Sequence, residues 1–196
     1  MVVSTEKTDK DYWESFTGDE FYYKAVKLDR LREFLKPLVK PDDVIINLMC
    51  GKFAYLNSYL GVDIVEHMLR SNREIARGVV FDLNSPSHYP LRENSFDVAV
   101  MISGIAYLYN PRHTFLEVLR VLRPGGQFIV GFDHNQTKRA SKDWERLNNG
   151  EKLGRLEELY LSGGFVNLEV FEYAQDTLPW TDFKPEIFYI TRAFKL

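Results

Sequence analysis

Four histidines, a single cysteine and two aspartates that close apolar runs are the residues of this chain whose types invite chemistry. His67, His88, His113 and His134 are too scattered for the spacing of metal ligands, and Cys50 has no cysteine to pair with, so no metal site is expected. His134, in Phe132-Asp133-His134-Asn135, follows an apolar run and is the acid–base candidate; a polar loop residue is the alternative. Ser103, Gly104, Tyr107 and Tyr109 follow the strongest buried-strand pattern, as part of an acceptor pocket or as loop packing, with Gly104 leaving room for a ligand. Trp180, with Leu178, Pro179 and Phe183, either roofs a pocket or packs internally. Lys138, Arg139 and Lys142 read as a solvated face. On their own, Asp63 and Asp82 are a helix cap and the start of an Asp-Leu-Asn-Ser-Pro turn.

The elements that must carry these residues follow from periodicity. Residues 1–20 look like a polar tail, and 21–40 hold an amphipathic helix with Tyr22, Val26, Leu31, Phe34, Leu35 and Leu38 on one face. Short apolar strands are expected at 44–49, 60–64, 79–83, 95–102 and 127–132, with helices at 66–77, 111–122 and 153–161. Pro111 suits a first helical turn, and Gly163-Gly164 a helix end. Residues 165–173 and 187–194 alternate as an antiparallel pair. Strands alternating with helices imply one α/β domain over 1–196: a doubly wound, mainly parallel seven-stranded sheet with an antiparallel C-terminal edge.

Composition agrees with a folded domain, since 45% of the 196 residues are hydrophobic and 27% charged. A net charge of −3 supplies no field to recruit nucleic acid or an anionic membrane, and neither is expected as a partner. One cysteine and no signal-like apolar segment make a cytoplasmic location the expectation.

The motifs in this order resemble class I S-adenosylmethionine-dependent methyltransferases, particularly the type 11 group, over about residues 43–132. The most specific piece is Asn94-Ser95-Phe96-Asp97-Val98 followed by Leu116 to Gly126, which ends in Leu-Arg-Pro-Gly-Gly. The resemblance implies a Rossmann-like methyltransferase fold and S-adenosylmethionine as cofactor. It implies that Asp63, at the end of the second strand, accepts hydrogen bonds from the two ribose hydroxyls. It places Asp82 at the adenine amino group, the Leu83 N–H at the ring, and Asn47, Gly51 and Ser103 near the cofactor.

One motif departs from the family. Where the family has acidic-apolar-Gly-x-Gly-x-Gly, this chain reads Asn47-Leu48-Met49-Cys50-Gly51-Lys52-Phe53, and only the middle glycine survives. A Cβ at Met49 or Phe53 crowds the cofactor or demands a left-handed backbone. Asn47 offers hydrogen bonds but no charge, and could equally be a satisfied polar group at a strand end. Nine residues separate Gly51 from Gly61, too few for a crossover helix beyond one turn, so the helix N-terminus that would face the cofactor is lost. Two functions follow. One is a methyltransferase for a small acceptor, its cofactor bound weakly, with His134 and Tyr107 as catalytic candidates. The other is a methyltransferase-fold protein that has lost its cofactor and serves a protein partner as a regulator or scaffold.

Overall fold

The computed structural model describes residues 9–15, 30–133, 141–175 and 186–196. In chain order they form α1 (Asp9–Glu14), a helix at 30–35 (α2), β1 (Ile45–Leu48), β2 (Ser58–Asp63), α3 (Glu66–Ser71), β3 (Ile75–Val80), β4 (Phe96–Ile102), α4 (Pro111–Val121), β5 (Leu122–Asp133), α5 (Lys142–Glu145), α6 (Asn149–Gly163), β6 (Phe165–Gln175) and β7 (Glu186–Lys195). The seven strands make one sheet in the order β3-β2-β1-β4-β5-β7-β6. β1 to β5 pair in parallel, while β7 runs antiparallel to both β5 and β6.

Both faces of the sheet are apolar because the central strands are covered on both sides. In β4, Ala99 and Met101 pack with Phe115, Val118, Leu156 and Tyr160 of α4 and α6, whereas Val98, Val100 and Ile102 pack with Leu31 and Leu35 of α2. An aromatic cluster of Phe115, Phe128, Tyr160 and Phe165 fills the first face, with Phe115 5.0 Å from both Phe128 and Tyr160. Tyr160 is fully buried, and its hydroxyl bonds the Phe128 carbonyl and Thr191.

The two halves of the most specific sequence motif meet in space. Arg123, from the Leu-Arg-Pro-Gly-Gly turn, donates to both oxygens of Asp97 at 2.7 and 2.6 Å, and Asp97 also accepts from the Val44 N–H at 2.8 Å. A Cβ on Gly126 would stand 2.9 Å from the Arg123 carbonyl oxygen and 3.0 Å from that of Asp97, so only glycine fits this turn. The motif is a structural clamp on β1, β4 and β5.

Several elements differ from the sequence expectation: β5 starts at Leu122 and α6 at Asn149, earlier than expected, and α5 stands where no helix was expected. α3 stops at Ser71 rather than near Arg77, and β3 occupies 75–80 rather than 79–83, which leaves Asp82 two residues beyond the strand. The reason is tertiary: Asn72 donates to the Gly51 carbonyl at 3.0 Å and accepts from Glu74, while β3 pairs along all of β2. The polar N-terminal segment contains α1. The start of the expected 21–40 helix lies outside the described residues, as do Lys138, Arg139 and Trp180.

Candidate functional site

Strand order reverses at β1 and β4, and the crevice outside their C-terminal ends is where open α/β sheets take ligands. A hollow of about 200 Å³ lies there. Met49 to Phe53 line it after β1, Asp63, Ile64 and Met68 after β2, Phe81 to Asn84 after β3, and Ser103, Gly104 and Tyr107 after β4. Trp13 and Tyr55 complete the wall, and the Trp13 ring meets Tyr107 edge to face at 5.1 Å.

Asp63 ends β2 and is buried, at 9% exposure. Its Oδ2 accepts from the Gly51 N–H at 2.8 Å and its Oδ1 from the Val65 N–H at 2.9 Å. The side chain thus ties the β1 loop to the turn into α3. Burial pushes its pKa above the usual carboxylate range, opposed by the N–H groups of Val65, Gly51 and Ile64. A carboxylate has about four acceptor positions, so at least one remains beyond these N–H groups.

The eroded loop solves its steric problem through backbone conformation. Met49 lies at φ 51° and Gly51 at φ 53°, both left-handed. For Met49 this costs about 1–2 kcal/mol relative to glycine. Its side chain rests against Gly104, where a Cβ would come 3.0 Å from the Met49 sulfur and 2.8 Å from Met101 Cγ. Gly104 therefore makes room for Met49 and Met101 while itself lining the hollow, which survives. Ser103, at φ 59°, is a third left-handed residue on the wall.

No helix separates β1 from β2. The crossover is held by side chains: Arg32 of α2 donates to the Ala54 carbonyl at 3.2 and 2.7 Å and pairs with Glu74 at 2.9 Å. Asn72 holds the Gly51 carbonyl from the other side.

After β3, Asp82 Oδ1 accepts from the Asn84 N–H at 2.9 Å, so the turn reading of Asp82 holds geometrically while the residue also borders the hollow. Asn84 donates to the Tyr107 carbonyl at 3.0 Å and accepts from the Tyr109 N–H at 2.8 Å, joining the β3 and β4 loops. The segment behind is pinned by Glu117, which is buried and accepts from the Tyr89 N–H at 2.8 Å, Arg120 at 2.8 Å and His88 at 2.7 Å. Burial would raise its pKa, but Arg120, His88 and the Tyr89 N–H outweigh it and hold it at about 2. Tyr89 in turn packs on Phe81 of the wall.

The structure thus brings Gly51, Asp63, Asp82, Leu83, Ser103 and Tyr107 to one hollow. Asn47 is a correction: it is buried within β1, away from that wall, with its Nδ2 3.4 Å from Ser58 Oγ and its Oδ1 without a partner. Asn47 sits inside the strand rather than on the loop beyond it, and its amide faces Ser58 of β2. His134 lies outside the described residues. His88 and His113 instead hold Glu117 and the Ser87 carbonyl. Among the described residues no group of three His, Cys, Asp or Glu gathers as a metal would need. Trp13, Lys52, Tyr55 and Asn84 were not singled out by sequence, because no local pattern marks which loop residues converge.

Residues 46–130 match the model of the type 11 family, described as "Methyltransferase domain". An uncharacterized protein of Methanocaldococcus jannaschii is 25% identical over 177 residues, covering 84% of this chain and 82% of that protein. A demethylmenaquinone methyltransferase of Paenarthrobacter aurescens is 28% identical over 104 residues, or 49% of this chain and 41% of the enzyme, so the chain spans less than half of that relative. In fold, the chain is similar to a Thermotoga maritima S-adenosylmethionine-dependent methyltransferase described as a "possible histamine N-methyltransferase". The TM-score is 0.69 at 20% identity, over 95% of this chain and 99% of that one. Family match, relatives and strand order agree: residues 46–130 match a methyltransferase domain, and the chain has the Rossmann-like fold of class I S-adenosylmethionine-dependent methyltransferases.

Proposed function

We propose that the chain is an active S-adenosylmethionine-dependent methyltransferase acting on a small acceptor. The observation that carries this reading is Asp63: a buried carboxylate on the wall of an open hollow at the sheet's switch point, with acceptor capacity left after binding Gly51 and Val65. The donor set fits the cofactor. Asp63 would hold the ribose hydroxyls, Asp82 and the Leu83 N–H the adenine, and Gly51 and Ser103 the backbone around the sulfur. When bound, the cofactor supplies an electrophilic methyl group on a sulfonium.

The residues of the wall then position and exclude water. Trp13, Phe53, Tyr55 and Tyr107 give the hollow an aromatic side, suited to an apolar or flat acceptor. Methyl transfer is an in-line displacement in which the acceptor lone pair forms the new bond and sulfur keeps the electrons of the old one. Orientation supplies much of the acceleration. A base is needed only for an acceptor that must lose a proton, and Tyr107 and His134 are the candidates for that role.

Calorimetric titration with S-adenosylmethionine and S-adenosylhomocysteine tests the reading. Binding is expected, and Asp63→Ala is expected to weaken it at least tenfold, consistent with hydrogen bonds to a charged group worth about 1.5–3 kcal/mol each. No heat and no thermal shift at millimolar ligand would overturn the enzyme and favour the regulatory or scaffolding role.

A further inference from the structure

Lys52 sits on the helixless crossover directly after Gly51, and it lines the hollow beside Asp63 and Asp82. It is the one Lys, Arg or His among the described residues of that wall. No described hydrogen bond or ion pair engages its ammonium, whereas Arg32 of α2, which holds this crossover, is paired with Glu74 before β3. Its position is fixed by a rigid neighbour: the Gly51 N–H is bonded to Asp63 at 2.8 Å and the Gly51 carbonyl to Asn72 at 3.0 Å. The ammonium is thus carried by an anchored backbone on a flexible four-carbon stem, a point charge that can reach along the wall.

We infer that Lys52 binds the carboxylate at the amino-acid end of the cofactor and replaces the electrostatic contribution of the missing crossover helix. The inference rests on the proposed function. The ligand has a hydroxyl-bearing sugar and a carboxylate, and the wall has two carboxylates and one cation. Two aspartates alone would repel the carboxylate of the ligand's zwitterionic end, and no helix N-terminus follows β1 to offset them. Lys52 lies after Gly51, on the loop that must flank the methionine portion when Asp63 holds the ribose.

The test compares two ligands by calorimetry: S-adenosylhomocysteine, and 5′-methylthioadenosine, which keeps the adenosine and thioether but lacks the amino-acid end. Lys52→Ala is expected to weaken S-adenosylhomocysteine about tenfold to a hundredfold, the range of a charge-assisted contact, and to leave methylthioadenosine within about twofold. Lys52→Arg is expected to restore most of the affinity, and added salt to weaken only the first ligand. An equal loss for both ligands, or none for S-adenosylhomocysteine with the wild-type chain binding both, overturns the role of Lys52 and leaves the methyltransferase reading standing. A wild-type chain that binds neither ligand overturns both.

Discussion

Asp63 carries two duties at once, and their separation can be measured. Its carboxylate holds the Gly51 loop and the turn into α3, and on the proposed reading it also receives the ribose hydroxyls. Because burial raises its pKa, the native state holds a proton there more tightly than the unfolded chain does. That contribution to stability is present at acid pH and lost as pH rises from the ordinary carboxylate value through the raised one. Ligand binding runs the other way, since the hydroxyls favour the ionised form. Cofactor affinity is therefore expected to fall as pH drops through the raised value, and Asp63→Asn to bind weakly with a flat pH profile in calorimetry. Gly104 gives a second test at this scale. Gly104→Ala would press on Met101 and on the Met49 sulfur, and the expected outcome is a loss of about 1–3 kcal/mol in denaturant unfolding together with weaker cofactor binding.

The loop after β3 depends on an ion pair outside the hollow. Glu117 and Arg120 of α4 hold Tyr89, whose ring supports Phe81. With its pKa depressed from 4.5 to about 2, Glu117 contributes stability that is full above pH 4.5 and lost as pH falls toward 2. In denaturation series across that window, Glu117→Gln is expected to be less stable than wild type near neutrality and to show a smaller loss on acidification. The Asp97–Arg123 clamp is a sheet device of the same kind. Asp97 sits below its usual pKa because the Val44 N–H and Arg123 outweigh its partial burial. Asp97→Ala is expected to cost about 1.5–3 kcal/mol, the range for hydrogen bonds to a charged group, with no change in ligand specificity.

For the molecule as a whole, cofactor binding and folding are linked, because the hollow is assembled from the ends of β1 to β4 and exists only when the sheet is formed. A ligand at a hundred times its Kd stabilises the native state by about 2.7 kcal/mol. For a chain of this size that corresponds to a rise in Tm of roughly 5–10 °C. S-adenosylhomocysteine is expected to produce such a shift in wild type and at most about half of it in Asp63→Ala at the same ligand concentration. A scan in which both proteins shift equally would place the ligand elsewhere. The absence of a helix between β1 and β2 makes α2 part of this unit, since Arg32 holds the crossover by Ala54 and Glu74.

Much of this architecture could be read in the sequence because it is written locally. The buried runs at β1, β2, β4 and β5, the antiparallel pair at the C-terminus, Pro111 at a helix start and the Pro-Gly-Gly turn each follow from the periodicity or backbone freedom of a few adjacent residues. The loss of the crossover helix was likewise fixed by chain length alone. Other features depended on partners far along the chain. The short α3 and early β3 come from Asn72 reaching Gly51 and from β2 pairing, the burial of Asn47 from its place beside Ser58 of β2, and the open hollow from Gly104 accepting the Met49 side chain. Lys52 entered the site for the same reason. Local sequence determines which conformations a segment favours, but which side chains share a wall is set by contacts between loops that only the folded sheet brings together.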